Sequence, residues 1–204
     1  RWYDARWNLY VYGSRIGQRT RSVTGLLAPQ GLVPVQATLR TPEVQDVRFD
    51  YDAQRVRFAA DDAPLQAGMQ DRVGVLLQLG ALLAGDPGRY PAGSVIELPA
   101  AHLHGTGRWR FVVEADETVP ALGDRTLPTV RLVHAAQGER DVRIEAWLGR
   151  TLDYLPVRLR VTEANGDTVE HTVTAAYTQL VPAAPEPVVT PAAPQAPAPA
   201  PSTP

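Results

Sequence analysis

Cysteine is absent from this chain, and so is lysine. Without cysteine there are no disulfides, no thiolate metal sites, no cysteine nucleophile and no lipidated cysteine within these residues. Both the cytoplasm and an oxidising envelope are compatible with that absence. All 20 basic residues are arginine, which fits the codon bias of a GC-rich genome that also favours Ala, Pro, Gly, Val and Leu. A formal charge of −2 gives no electrostatic reason to expect nucleic acid or an anionic membrane surface as a partner. No apolar run approaches the ~20 residues that a membrane-spanning helix needs. No Gly-x-Ser-x-Gly elbow, phosphate-binding loop or dinucleotide fingerprint occurs. The first residue is Arg1, so a signal or anchor would lie upstream of it.

What is present is period-two alternation between turn residues. Tyr3, Ala5, Trp7, Leu9 and Val11 share one face of a strand that Gly13-Ser14 ends. Val33, Val35, Ala37 and Leu39 repeat the pattern, as do Val47, Phe49 and Tyr51. Asp52-Ala53-Gln54 then returns the chain into Arg55–Ala59 as a hairpin. Further strands are expected at Ser94–Leu98, Arg108–Glu114, Thr129–His134, Asp141–Leu148, Pro156–Glu163 and Thr168–Ala176, with a hairpin turn at Asn165-Gly166. Successive hairpins with one polar face make an antiparallel meander, and a sheet this long must curl or close to manage its edges.

One segment breaks the alternation. From Arg72 to Ala84 the residues are almost uniformly apolar, with Asp71 placed to cap a helix, Gly85 to end it in the left-handed conformation, and Pro87 to block continuation. Only Gly74, Gln78 and Ala81 form a narrow small or polar stripe, so this helix must be buried. The expected fold is therefore mainly β: a strongly curved antiparallel sheet or open β-barrel with one buried helix over about 71–84. It occupies residues 1–180, and a Pro/Ala-rich tail, 181–204, is too poor in large apolar residues to fold.

Residues that could carry chemistry have simpler explanations. His102 and His104, two apart, could chelate a metal, but no third ligand has diagnostic spacing and Gly105-Thr106-Gly107 follows at once. His134 and His171 sit on expected strands without a partner motif. The carboxylate pairs Asp61-Asp62 and Glu114 with Asp116 lie at turns or strand ends, where acidic residues serve conformation. In Arg1-Trp2-Tyr3 and Arg108-Trp109-Arg110 strand neighbours point to opposite faces, which puts Trp109 in the core and its two arginines in solvent. No catalytic, metal or cofactor residue is assigned, and no ligand-binding residue is singled out.

Three blocks carry a family resemblance. They are Arg21-Ser22-Val23-Thr24-Gly25 with Gly31-Leu32-Val33-Pro34; Asp71-Arg72-Val73 through Gly85-Asp86-Pro87 with Arg89-Tyr90-Pro91; and Trp147-Leu148 with Leu152-Asp153-Tyr154-Leu155-Pro156-Val157-Arg158 and Asn165-Gly166-Asp167. Together, over roughly Tyr3 to Ala176, they resemble the domain of unknown function 3108 family of exported or envelope-associated bacterial proteins. The resemblance implies a barrel-like domain in the periplasm or cell envelope and transfers no activity and no site residue. Members carry further strands before the equivalent of Tyr3–Val11 and an upstream hydrophobic segment, so a missing first hairpin would leave a seam open in the sheet.

The expected function is that of a non-enzymatic envelope protein holding an apolar or lipid-like ligand, because barrel mouths are common ligand sites. The alternatives are an interaction scaffold whose Pro-rich tail reaches a partner, and a hydrolase acting on envelope polymers.

Overall fold

The computed structural model describes residues 2–9, 19–29, 31–40, 44–102, 105–138 and 141–176. Val11, Gly13-Ser14, His104 and the 181–204 tail lie outside the described residues. The fold is mainly β with one buried helix, as the alternation predicts, and it is built as two sheets. The first is a six-stranded antiparallel meander of β1 (Trp2–Leu9), β2 (Arg19–Ala28), β3 (Gly31–Arg40), β4 (Val44–Asp50), β5 (Arg55–Arg57) and β6 (Asp62–Pro64). The second begins with β7 (Gln70–Asp71), passes through helix α1 (Gly74–Gly85) and continues in β8 (Val95–His102), β9 (Gly105–Ala121), β10 (Arg125–His134), β11 (Arg143–Gly149), β12 (Leu155–Thr162) and β13 (Thr168–Thr172). It is a strongly curled half-barrel. Its β7–β8 pair is parallel, with α1 as the crossover, which corrects the expectation of an antiparallel meander throughout.

The curl has identifiable sources. Between Val113 and Asp116 on β9, two residues oppose the single Arg131 of β10, and on β12 Val157 is the extra residue between the partners of Trp147 and Leu148. A third irregularity falls between Thr24 and Gly25 on β2, opposite Val35. Each bulge bends its strand and flips the faces that follow, because side chains alternate with period two. Trp109, Phe111 and Val113 thus face the main core, whereas Val119 and Ala121, beyond the bulge, join Leu127, Trp147 and Val157 in a separate small cluster.

The main core forms where α1 lies against the second sheet. Val75, Leu76, Leu79 and Leu83 meet Ile96, Trp109, Phe111, Leu132, Ile144 and Leu148, all of them buried. Burying each large side chain contributes roughly 1.5–3 kcal/mol. The close approach of helix to sheet depends on Gly80. A Cβ at that position would stand 2.5 Å from the carbonyl oxygen of Tyr154, in the β11–β12 turn. That turn holds Asp153 and Tyr154 at φ +50° and +55°, a conformation costly for side-chain-bearing residues, and Tyr154 stays buried in the core.

Of the small or polar stripe on the helix, Ala81 is exposed but Gly74 and Gln78 are buried. Gln78 is buried, and its Oε1 accepts the Leu32 N–H of β3 at 2.9 Å, while Gln70 Nε2 donates to the Leu32 carbonyl at 2.7 Å. Two glutamines therefore satisfy both backbone groups of one residue and fasten the first sheet to the helix. Gly85 is the last helical residue instead of a left-handed cap, and the Asp86 N–H closes the helix on the Leu82 carbonyl at 3.3 Å. The Asn165-Gly166 hairpin is present, but only Gly166 takes a positive φ (+89°), and the loop is a turn from Glu163 to Gly166 instead of a two-residue connection.

Candidate functional site

Polar side chains gather where the two sheets meet over the start of α1. Asp71 ends β7, and its Oδ1 accepts the N–H groups of Val73 (2.7 Å) and Gly74 (3.2 Å), satisfying two donors that a helix start leaves open. Asp71 thus supports the helix start as its position in the sequence predicts, but from two residues before the N-cap, Val73. Asp71 is only 4% exposed, and burial pushes its carboxyl up to about 6 against the pull of those N–H groups and of Arg21. The Gln70 side chain beside it leaves Oε1 buried without a partner. A Cβ on Gly74 would lie 2.7 Å from Asp71 Oδ2 and 2.8 Å from Gln70 Oε1, so the two oxygens crowd one point.

Arg72 follows at once. It is half-buried, and its guanidinium carbon stands 5.5 Å from the centre of the Trp109 ring. Burial pushes its guanidinium pKa down, and the more distant Glu163 and Asp141 pull it back up. Trp109 in turn stacks on His134, with ring centres 5.4 Å apart, and Phe111 closes the other approach at 5.5 Å. His134 Nδ1 bonds the Arg110 carbonyl (3.1 Å), and Nε2 faces Asp141 at 3.3 Å. Burial works to raise the Asp141 carboxyl, but the N–H groups of Gln137 and Val142, with His134, outweigh it and hold the pKa low. The His134–Asp141 pair has the composition of an acid–base dyad. However, the imidazole is fully buried between two aromatic rings, where a reacting group cannot reach it.

Above α1 the two sheets leave a cleft of about 30 Å³, room for one or two waters or a small head group. Arg21, Ser22, Asp71, Arg72 and His102 supply its polar lining, and Leu39, Val47 and Val73 are among its apolar walls. Thr38 also lines it, but its hydroxyl already donates to Asp46 at 2.7 Å.

Of the residues weighed from the sequence, the fold brings only His102 to this cleft. Its companion His104 lies outside the described residues, and among the described residues no three His, Asp or Glu side chains form a metal-sized group. His171 is half-buried on β13, and burial lowers its pKa. Asp62 pairs with Arg57 (3.5 Å) and Arg55 (3.9 Å), and Asp116 with Arg150 (2.7 Å), so these carboxylates are engaged in ion pairs on exposed strands. Trp109 is in the core with Arg108 and Arg110 exposed, as alternation requires. Sequence reasoning missed Arg72 and Arg21 as site residues, because 37 positions separate Arg72 from its Trp109 platform.

On the opposite face of the second sheet lies a denser network of ion pairs. Arg131, Arg158 and Arg160 surround Trp147, and Glu145 and Glu170 answer them. Burial works to raise the Glu145 carboxyl, but Arg131 and Arg143 more than offset that and hold it low. This network holds strands together.

Comparison with known proteins gives one match. A family model described as protein of unknown function (DUF3108) covers residues 4–174. No curated protein and no solved structure matches the chain.

Proposed function

The chain belongs to the domain of unknown function 3108 family, and from that premise we propose a non-enzymatic protein of the bacterial periplasm or cell envelope that binds an amphipathic, lipid-like molecule at the cleft over α1. The observation that carries this is the chemistry of the cleft: mostly apolar walls with a few convergent polar groups, the usual make-up of a small-molecule site. Its size admits the end of a ligand and not a whole acyl chain, so the rest of the molecule would run along the surface. A second reading, the interaction scaffold, is favoured by the packed interior. The apolar surface of α1 is taken up by the second sheet.

The two readings separate on one preparation. Protein purified from its native envelope is examined by native mass spectrometry, and the same sample is titrated with a fluorescent fatty acid. Retained amphiphile and a displaceable probe support the binding reading; a bare mass with no probe bound leaves the scaffold. Envelope location is tested by fractionating cells of the source bacterium, where recovery with the cytosol would overturn it.

A further inference from the structure

We propose that the cleft is a subsite for the anionic head, carboxylate or phosphate, of an amphiphile, with Arg72 as its main contact and Trp109 as the platform that aims it. The inference rests on the binding reading above and names its ligand class. Most of the ion-paired arginines sit close to their carboxylates: Arg57 to Asp50 at 2.8 Å, Arg150 to Asp116 at 2.7 Å, Arg158 and Arg160 each to Glu170 at 2.8 Å. Arg72 is different. Among the described residues it has the indole face of Trp109 and no carboxylate at ion-pair distance. A half-buried cation loses hydration, and a stacking partner offsets only part of that cost. Stacking engages the face of a guanidinium, and its edge carries paired N–H donors matched to a carboxylate or phosphate.

The neighbouring charges agree with an incoming anion. Arg21 lines the same cleft and acts on Asp71 from within it. The carboxyl in the lining, Asp71, turns Oδ1 to the amides of Val73 and Gly74, and burial favours its neutral form. Asp141 and Glu163 act on Arg72 only from beyond ion-pair distance, and Asp141 is already engaged by His134 and two backbone N–H groups. Asp46 is bound to the Thr38 hydroxyl. Leu39 and Val47 in the same lining suit the first methylenes of a chain.

The test is calorimetric titration of the whole chain with four probes below their micellar concentrations: laurate, dodecyl phosphate, dodecanol and inorganic phosphate. Laurate and dodecyl phosphate should bind at least roughly tenfold more tightly than dodecanol, the increment of a charge-assisted hydrogen bond. Arg72→Gln should erase that preference, and Arg72→Lys should restore part of it. Dodecanol binding as tightly as laurate, or an Arg72→Gln protein that keeps the preference, overturns the anionic-head assignment while the binding reading stands. Inorganic phosphate matching dodecyl phosphate overturns the amphiphile and makes a free anion the ligand. No binding of any probe overturns both. The comparison of laurate with dodecanol on the unaltered protein decides the matter even if the variants fail to fold.

Discussion

Replacing Asp71 by Asn should make the protein more stable at neutral and alkaline pH, and by an amount that grows with pH. Burial raises the Asp71 pKa from 3.8 to about 6, a change of ~2 units, worth ~3 kcal/mol at 1.36 kcal/mol per unit. The sign follows from linkage. A carboxyl whose folded pKa is raised binds its proton more tightly in the native than in the unfolded state. Its contribution is fully present below 3.8 and is lost as pH rises through 6. Asn is neutral throughout and keeps an oxygen for the Val73 and Gly74 amides. Asp50, Asp141, Glu145 and Glu170 have lowered pKa values, and they weaken the fold as pH falls toward the carboxylate range. They act equally in both proteins and cancel in the difference. Urea melts of the parent and Asp71→Asn, followed by circular dichroism from pH 4.5 to 8, should diverge by up to ~3 kcal/mol at pH 8. In thermal melts that is roughly 6–12 °C for a domain of this size. A difference that does not vary with pH, or an Asn variant less stable at pH 8, would refute the reasoning.

Two further substitutions test the packing that creates the cleft. Gly80→Ala adds a Cβ 2.5 Å from the Tyr154 carbonyl, and the overpacking should exceed the gain in helix propensity, for a net loss of about 1–2 kcal/mol in urea melts; a more stable variant would mean that helix and turn are not in contact. Leu76→Asp puts a charge at a position 6% exposed in the main core, and a loss of several kcal/mol or outright aggregation is expected, whereas normal melting would place α1 on the surface.

The strands that alternate cleanly were legible because each keeps one face on a core over its whole length, as Val47 and Phe49 do on β4. β2 was not, because Val23 is its main core anchor while Leu26 and Leu27, at its end, are exposed. β6 and β7 have three and two residues, too few for any period to register. β9 was read only to Glu114 because the bulge there changes which residues face inward. The helix was legible from its apolar run, but its buried Gln78 read as a polar stripe, since a side chain that satisfies a distant backbone looks in sequence like one that seeks water. Of the site, Asp71 could be read as a cap and Trp109 as core. Their meeting with Arg72 and Arg21 depends on the pairing of β7 with β8 and on the packing of two sheets, and neither leaves a local trace.

The most direct test of ligand binding at the cleft is an amide NMR titration of the whole chain with laurate. Binding there predicts saturable shifts concentrated at Arg21, Ser22, Leu39, Arg72, Val73 and His102, with the amides of the Trp147 network unmoved. No shifts at saturating laurate, or shifts centred away from the start of α1, would contradict it.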